Sequence, residues 1–249
     1  MLDFGKQWPL GPDGRAWGVA AGAFVVLLVV VGLFDHQLSV AATGLPDPVR
    51  QFFAFITRWG ESDWVLIPSL TLAVVLSLLA LAVKRWRIHR ALIRLMQVFA
   101  FIFVGVGLPG LVCNIAKRAI GRARPEMFDQ VGTYAFHPFA WSYRFEGFPS
   151  GHATTSSALA VVIWCLWPRW WLVGVVYAAL IVVSRPIVGM HYPTDVFAGL
   201  VLGTLGAYAV RNYFARRRWG FEFDHEGRVR RRSMLPLYQR SGDIFLGVP

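Results

Sequence analysis

The chain has 249 residues, of which 56% are hydrophobic and 16% are charged, and its formal net charge is +11. An ordinary soluble domain carries about 25% charged residues. The low charge and the long apolar runs exclude an ordinary soluble domain, a disordered chain, a collagen and a disulfide-stapled secreted domain. The basic excess is compatible with binding to nucleic acid, anionic lipid or an anionic substrate, or with membrane topology.

Six apolar runs predict transmembrane helices. Three of them are uncharged and are long enough, or nearly so, to cross a hydrocarbon core of about 30 Å. The other three are shorter, but their close connections indicate helical hairpins. The predicted spans are residues 17–34, 64–83, 95–115, 154–167, 170–184 and 196–210. The predicted fold is therefore all-α, an integral membrane bundle of six transmembrane helices.

The distribution of Lys and Arg predicts the orientation of this bundle. The side that would hold both termini carries 17 Lys and Arg against 6 Asp and Glu, and the other side carries 8 of each. The positive-inside rule then places both termini in the cytoplasm. The whole excess of +11 lies on that side, so membrane topology and anionic headgroups explain it better than nucleic acid does. Residues 216–249 are predicted to be a basic, loosely ordered cytoplasmic tail.

Polar residues concentrate at the outer ends of the last four spans. Lys117 and Arg124 are seven residues apart, close to two helical turns, which predicts that both project from one helix face. Further along the chain, the ends of the later spans carry polar side chains that include two histidines. These residues are Ser150, Gly151 and His152 at the fourth span, Arg185 at the fifth, and His191 and Asp195 at the sixth.

The order Lys-x6-Arg-Pro, Pro-Ser-Gly-His and Ser-Arg-x5-His-x3-Asp resembles the type 2 phosphatidic acid phosphatase family. All three signature motifs of that family are present in order and at family spacing, within residues 117–195. Three motifs together make a specific signal, although each alone is weak. The resemblance implies a membrane phosphatase domain over residues 1–215, in which the segment 126–148 is where substrate preference tends to differ.

The motif residues suit the binding of a phosphate group. Lys117, Arg124 and Arg185 are three cations that can neutralise phosphate oxygens in place of Mg²⁺. Ser150 and Gly151 stand at the start of a predicted helix, where free backbone N–H groups and the helix dipole favour an anion.

The resemblance also implies the chemical roles of the remaining motif residues. His191 is the expected nucleophile, Asp195 would hold its tautomer and orientation, and His152 would protonate the leaving oxygen. No cofactor and no metal is expected. His152, His191 and Asp195 are possible metal ligands, but the neighbouring cations would repel a metal ion.

The predicted function is a lipid phosphate phosphatase of the cytoplasmic membrane, with its site on the outer face. Candidate substrates are undecaprenyl pyrophosphate, phosphatidylglycerol phosphate, phosphatidic acid and the phosphates of lipid A. Two alternatives stay open: a phosphotransferase with the same site, and a transporter or binder of lipid phosphates. The oligomeric state is also open, since Gly199 and Gly203 suit either helix packing inside the bundle or dimerisation.

Overall fold

The computed structural model describes residues 5–8, 10 and 14–232. The described chain is predominantly helical, with one long and mostly irregular connection and one small hairpin near its end. In chain order the helices are α1 (Gly14–Leu33), α2 (Asp35–Thr43), α3 (Asp47–Thr57), α4 (Asp63–Ala82), α5 (Trp86–Ile120), α6 (Phe128–Val131), α7 (Gly151–Leu166), α8 (Trp171–Ile187) and α9 (Pro193–Arg216). The hairpin pairs β1 (Phe221–Phe223) with β2 (Val229–Arg231) in antiparallel register.

Helices α1, α4, α5, α7, α8 and α9 coincide with the six predicted spans. Five segments of the described chain are long and apolar enough to cross a membrane, and they contain all of these helices except α7. The 16 residues of α7 span about 24 Å at 1.5 Å per residue, less than a typical hydrocarbon core. The prediction is therefore confirmed for a predominantly helical membrane protein. That α7 crosses the membrane stays a prediction.

Small residues allow α7 and α9 to pack closely at the centre of the bundle. A β-carbon at Gly199 would overlap the backbone carbonyl of Ser150, and one at Gly203 would overlap that of Thr154. The two glycines therefore serve packing within the bundle. On the other side of α7, a β-carbon at Gly105 of α5 would lie 2.8 Å from a methyl group of Val162.

The hairpin that follows α9 is packed against the bundle. Phe221 is buried, and its ring centroid lies 4.7 Å from that of Phe101 in α5. The expectation of a loosely ordered tail is therefore wrong for residues 221–231, because every second side chain of the hairpin faces the bundle and packs against its core. Residues 233–249 of the predicted tail lie outside the described residues.

The first described residues lie at the same end of the bundle as the hairpin. The N–H of Val229 donates to the carbonyl of Gly5 at 2.8 Å, and the Asn212 amide donates to the carbonyl of Gln7 at 2.6 Å. The long connection 121–150 joins the end of α5 to the start of α7. Its last residue, Ser150, donates its N–H to the carbonyl of Asp195 at the start of α9. Because the hairpin follows the end of α9, the connection lies at the opposite end of the bundle.

Candidate active site

The motif residues meet at the end of the bundle that carries the connection 121–150. Helix α7 begins at Gly151, directly after Ser150. A β-carbon at Gly151 would lie 3.4 Å from Nζ of Lys117, which places the ammonium group beside the start of α7. The N–H of Ser150 donates to the carbonyl of Asp195 at 2.9 Å, which ties the start of α7 to the first turn of α9. The three motifs, distant in sequence, therefore form one site.

Arg124 reaches the site by a route that the helical spacing did not predict. Helix α5 ends at Ile120, and Gly121 follows in the left-handed conformation with φ of 66°. A β-carbon there would overlap the carbonyl of His137, so glycine is required by both backbone angle and space. The expectation that Lys117 and Arg124 project from one helix face is therefore wrong, because Arg124 lies in extended backbone beyond the helix.

The side chain of Arg124 is held against the connection 126–148. Its guanidinium carbon lies 3.6 Å from the ring centroid of Tyr143, and Nη1 lies 3.7 Å from Sδ of Met190. Burial lowers the pKa of Arg124 from 12.5, but an arginine remains charged at neutral pH. The stacked guanidinium is thus a fixed positive charge at the site.

Arg185 is anchored from the other side of the site. It lies near the end of α8, and its Nη1 donates to the hydroxyl of Thr57 in α3 at 2.6 Å. Among the residues that the structure describes, Nε of Arg185, Nε of Arg124 and Oγ of Ser150 are buried without a hydrogen-bond partner. Buried polar groups without a partner are costly. These atoms therefore suit the binding of an oxygen-rich anion.

His191 lies just before α9 and is 1% exposed. Its Nδ1 lies 2.7 Å from the carbonyl oxygen of Gly147 and 3.7 Å from Oδ2 of Asp195. A carbonyl can only accept, so Nδ1 carries the proton and Nε2 keeps its lone pair. The hydrogen bond that fixes the tautomer thus involves Gly147, which corrects the expectation that Asp195 makes it.

The electrostatic surroundings keep His191 neutral. Burial lowers its pKa well below the ordinary value of 6.5, and the charges of Lys117, Arg185 and Arg124 lower it further. A neutral imidazole with a free Nε2 is the form that can act as a nucleophile or accept a proton.

His152 is the second residue of α7 and is half-buried. Its ring packs against Gly60, where a β-carbon would lie 2.6 Å from the ring. The turn before α4 thereby forms one wall beside His152. Glycine is needed there because any side chain would collide with the imidazole.

Sequence reasoning missed several residues that shape this site. Gly147 supplies the carbonyl for His191, Thr57 anchors Arg185, and Tyr143 covers Arg124. Asp35 and Arg122 are also buried at the same end, in contact with the first turn of α9. The one available signal was Arg122, a charge inside the motif region between Lys117 and Arg124; the other contacts depend on the fold.

Comparison with known proteins agrees with this geometry. Residues 98–219 match the model of the PAP2 superfamily. The chain is 34% identical to lipid A 1-phosphatase of Rhizobium johnstonii over 78% of this chain and 80% of that protein. It is 32% identical to lipid A 1-phosphatase of Rhizobium etli over 87% of this chain and 93% of that protein. The chain therefore belongs to the PAP2 superfamily.

A solved structure supports the fold. A PAP2-type phosphatidylglycerolphosphate phosphatase from Bacillus subtilis aligns with a TM-score of 0.51 and 21% identity, covering 78% of this chain and 95% of that chain. With the helices described above, these relatives show a multi-pass membrane protein that hydrolyses lipid phosphates.

Proposed function

We propose that the protein removes a phosphate from a lipid through a covalent phosphohistidine on His191, without a metal ion. The observation that carries this proposal is the convergence of Lys117, Arg124 and Arg185 on the buried His191, whose hydrogen bond to Gly147 leaves Nε2 free. Fixed cations stabilise the charge that develops on the transferring phosphoryl group. The free Nε2 of His191 is the available nucleophile.

The reaction proceeds in two balanced steps. In the first step, Nε2 of His191 forms a bond to phosphorus as the bond from phosphorus to the lipid oxygen breaks. His152 must be protonated for this step, which the bound phosphate anion favours, and it donates that proton to the leaving oxygen. In the second step, water attacks phosphorus, His152 takes a proton from the water, and the bond between nitrogen and phosphorus breaks to release inorganic phosphate.

Metal independence is supported by the chemistry of the side chains. Three cations already provide the positive charge that Mg²⁺ supplies in many phosphoryl-transfer sites. Within residues 5–8, 10 and 14–232, no group of three or more His, Cys, Asp or Glu side chains is arranged to hold a metal ion.

Lipid A carrying a 1-phosphate is the proposed substrate. The support comes from the two relatives named lipid A 1-phosphatase, which align with this chain over 80% and 93% of their own lengths. We infer that the site lies at the outer face of the cytoplasmic membrane. The excess of Lys and Arg on the side of the bundle opposite the site supports this orientation.

The test is phosphate release by the purified protein in detergent with EDTA. Substrates are lipid A with a phosphate only at position 1, lipid A with one only at position 4′, and phosphatidylglycerol phosphate. We expect release from the first substrate, and release from another substrate alone would overturn the assignment to lipid A 1-phosphate. Loss of activity in EDTA with recovery on adding Mg²⁺ would overturn the metal-free mechanism.

His191→Gln tests the covalent step, and His137→Gln is the matched control on the exposed part of the connection 121–150. With ³²P-labelled substrate quenched in alkali, the wild type and His137→Gln should carry acid-labile label on protein. His191→Gln should carry none and should release no phosphate. Adding glycerol or ethanolamine as acceptor separates hydrolysis from phosphotransfer, because a transferase would form a new phosphate ester.

A further inference from the structure

Three charged residues from distant parts of the chain are buried together behind the proposed nucleophile. Asp35 is the first residue of α2, Arg122 follows the end of α5, and Asp195 is in the first turn of α9. They are 0%, 3% and 0% exposed. Charged side chains are this deeply buried only when they are paired, so their partners decide their role.

The guanidinium of Arg122 bridges the two carboxylates. Its Nη1 donates to Oδ1 of Asp195 at 2.6 Å and to the Thr194 hydroxyl at 2.7 Å, and its Nη2 donates to Oδ2 of Asp35 at 2.9 Å. Asp35 also accepts hydrogen bonds from the N–H of Thr194 at 3.0 Å and from its hydroxyl. The carbon of the guanidinium lies 4.6 Å from the ring centroid of Tyr192. Charge-assisted bonds from both nitrogens fix the plane of Arg122.

The other oxygen of Asp195 leads to the nucleophile. Oδ2 accepts from the N–H of Tyr192 at 2.8 Å and lies 3.7 Å from Nδ1 of His191. Arg122 also contributes its backbone, since its carbonyl accepts from the N–H of Gly147 at 2.9 Å. The carbonyl of that same Gly147 accepts from His191. Arg122 thus holds both residues that border Nδ1 of His191.

We propose that Arg122 is a positioning residue for His191, and that Asp35 acts through Arg122, which makes the start of α2 part of the active site. The proposal rests on His191 being the nucleophile, as given under Proposed function. In metal sites, the groups behind a ligating histidine fix its orientation, and their loss costs about 10- to 100-fold in affinity or activity. We expect a loss of the same size here, where such groups orient a nucleophilic histidine. A small displacement of the nucleophile has effects of the same size.

The experiment compares inhibition by two anions that use the site differently. Orthovanadate mimics the five-coordinate transition state and needs His191 in line, whereas inorganic phosphate, the product, needs only the cations. In Arg122→Gln we expect kcat to fall about 10- to 100-fold. The inhibition constant of vanadate should rise at least about tenfold, and that of phosphate should stay close to the wild-type value.

Three further variants separate positioning from folding. Arg118→Gln is the matched control, because Arg118 also follows Lys117 but is exposed and pairs with Glu146 at 3.7 Å. Arg122→Lys keeps one charge near Asp195 and should recover part of the vanadate affinity. Asp35→Asn should shift vanadate inhibition in the same direction but less, and adding it to Arg122→Gln should cause no further shift. Inhibition constants report only on active molecules, so partial unfolding does not mask the result.

Each outcome bears on the proposal. In one outcome, the two inhibition constants of Arg122→Gln both stay unchanged while activity falls in proportion to the amount of folded protein. That result overturns the proposal in favour of a purely structural role. An equal rise in both constants also overturns it, because Arg122 would then bind the phosphate itself. If the wild-type enzyme forms no phosphohistidine, the proposed function fails first; if it does and the ratio is unchanged, only the positioning role fails.

Discussion

His191 shows at the scale of one residue how burial and charge prepare a side chain for chemistry. Its pKa is lowered from 6.5 first by burial and then by the nearby cations. Protonation of its free Nε2 would remove the nucleophile, so a lower pKa extends activity toward acid. An unperturbed histidine would lose about three quarters of its neutral form between pH 7.5 and pH 6.

We therefore predict that kcat/KM of the wild type at pH 6 is no lower than its value at pH 7.5. The pH profile of phosphate release checks this, with the ionisation of the substrate phosphate measured separately by ³¹P NMR and subtracted. A loss of about three quarters that belongs to the enzyme would mean that His191 titrates normally, and that its burial beside three cations does not set its protonation state.

Arg124 illustrates why the type of cation matters. Its planar guanidinium stacks on Tyr143 at 3.6 Å, an arrangement that a lysine ammonium cannot reproduce. Hydrogen bonds to charged groups contribute about 1.5–3 kcal/mol. Losing one corresponds to a fall of about 10- to 150-fold in kcat/KM.

We predict that Arg124→Lys lowers kcat/KM by that amount, mainly through KM, because substrate binding and the transition state share the lost contact. Steady-state kinetics with the lipid substrate checks this. Arg144→Lys, at an exposed position on the same connection, is the control and should behave as the wild type. An Arg124→Lys enzyme with unchanged kinetics would show that position 124 supplies charge alone.

At the scale of elements, the crossing of α7 and α9 sets the geometry of the site. Helix α7 begins directly after Ser150 and has His152 in its first turn, and α9 begins two residues after His191. Gly203 lets the two helices approach, and a β-carbon there would overlap both Ser157 and the carbonyl of Thr154. A larger distance between α7 and α9 would therefore also move Ser150 and His152 away from His191.

We predict that Gly203→Ala destabilises the protein by about 1–3 kcal/mol, the usual cost of overpacking, and lowers kcat. Thermal unfolding in detergent and phosphate release check the two effects. Gly22→Ala is the control, because Gly22 lies on exposed α1 with no atom within 4 Å of an added β-carbon. Equal unfolding temperatures for the two variants would contradict the close packing of α7 and α9.

At the scale of the whole molecule, the described chain begins and finishes at one end of the bundle, and the motif residues lie at the other. The proposed orientation makes the first end cytoplasmic. Two exposed positions report on the two ends: Gln130 in α6, and Glu226 in the turn of the hairpin.

We predict that an impermeant maleimide added to intact spheroplasts labels Gln130→Cys and leaves Glu226→Cys unlabelled until the cells are opened. Both variants are made in a background where Cys113 and Cys165, the two native cysteines, are alanine. Labelling of Glu226→Cys in intact cells would place the hairpin outside and the site in the cytoplasm.

The sequence alone predicted the helices and most of the residues that meet at one end of the bundle. Long apolar runs predict helices because a membrane core excludes unpaired backbone groups, and the structure has a helix at each of the six runs. The motif spacing predicted Lys117, Arg185 and His191 as site residues, and the structure brings them to the same end of the bundle. The spacing of Gly199 and Gly203 left open whether they serve packing inside the bundle or dimerisation, and the structure shows that they pack against α7.

Only the tertiary structure decided which groups support those motif residues. Two contacts join segments that are distant in sequence: the hydrogen bond from His191 to Gly147, and the bridge from Asp35 through Arg122 to Asp195. The course of the chain after α5 likewise brings Arg124 against Tyr143. A local pattern carries no information on which distant backbone carbonyl or carboxylate will face a given side chain. That choice follows from the crossing of the helices and the course of the connection 121–150, and it fixes where the reacting atoms lie.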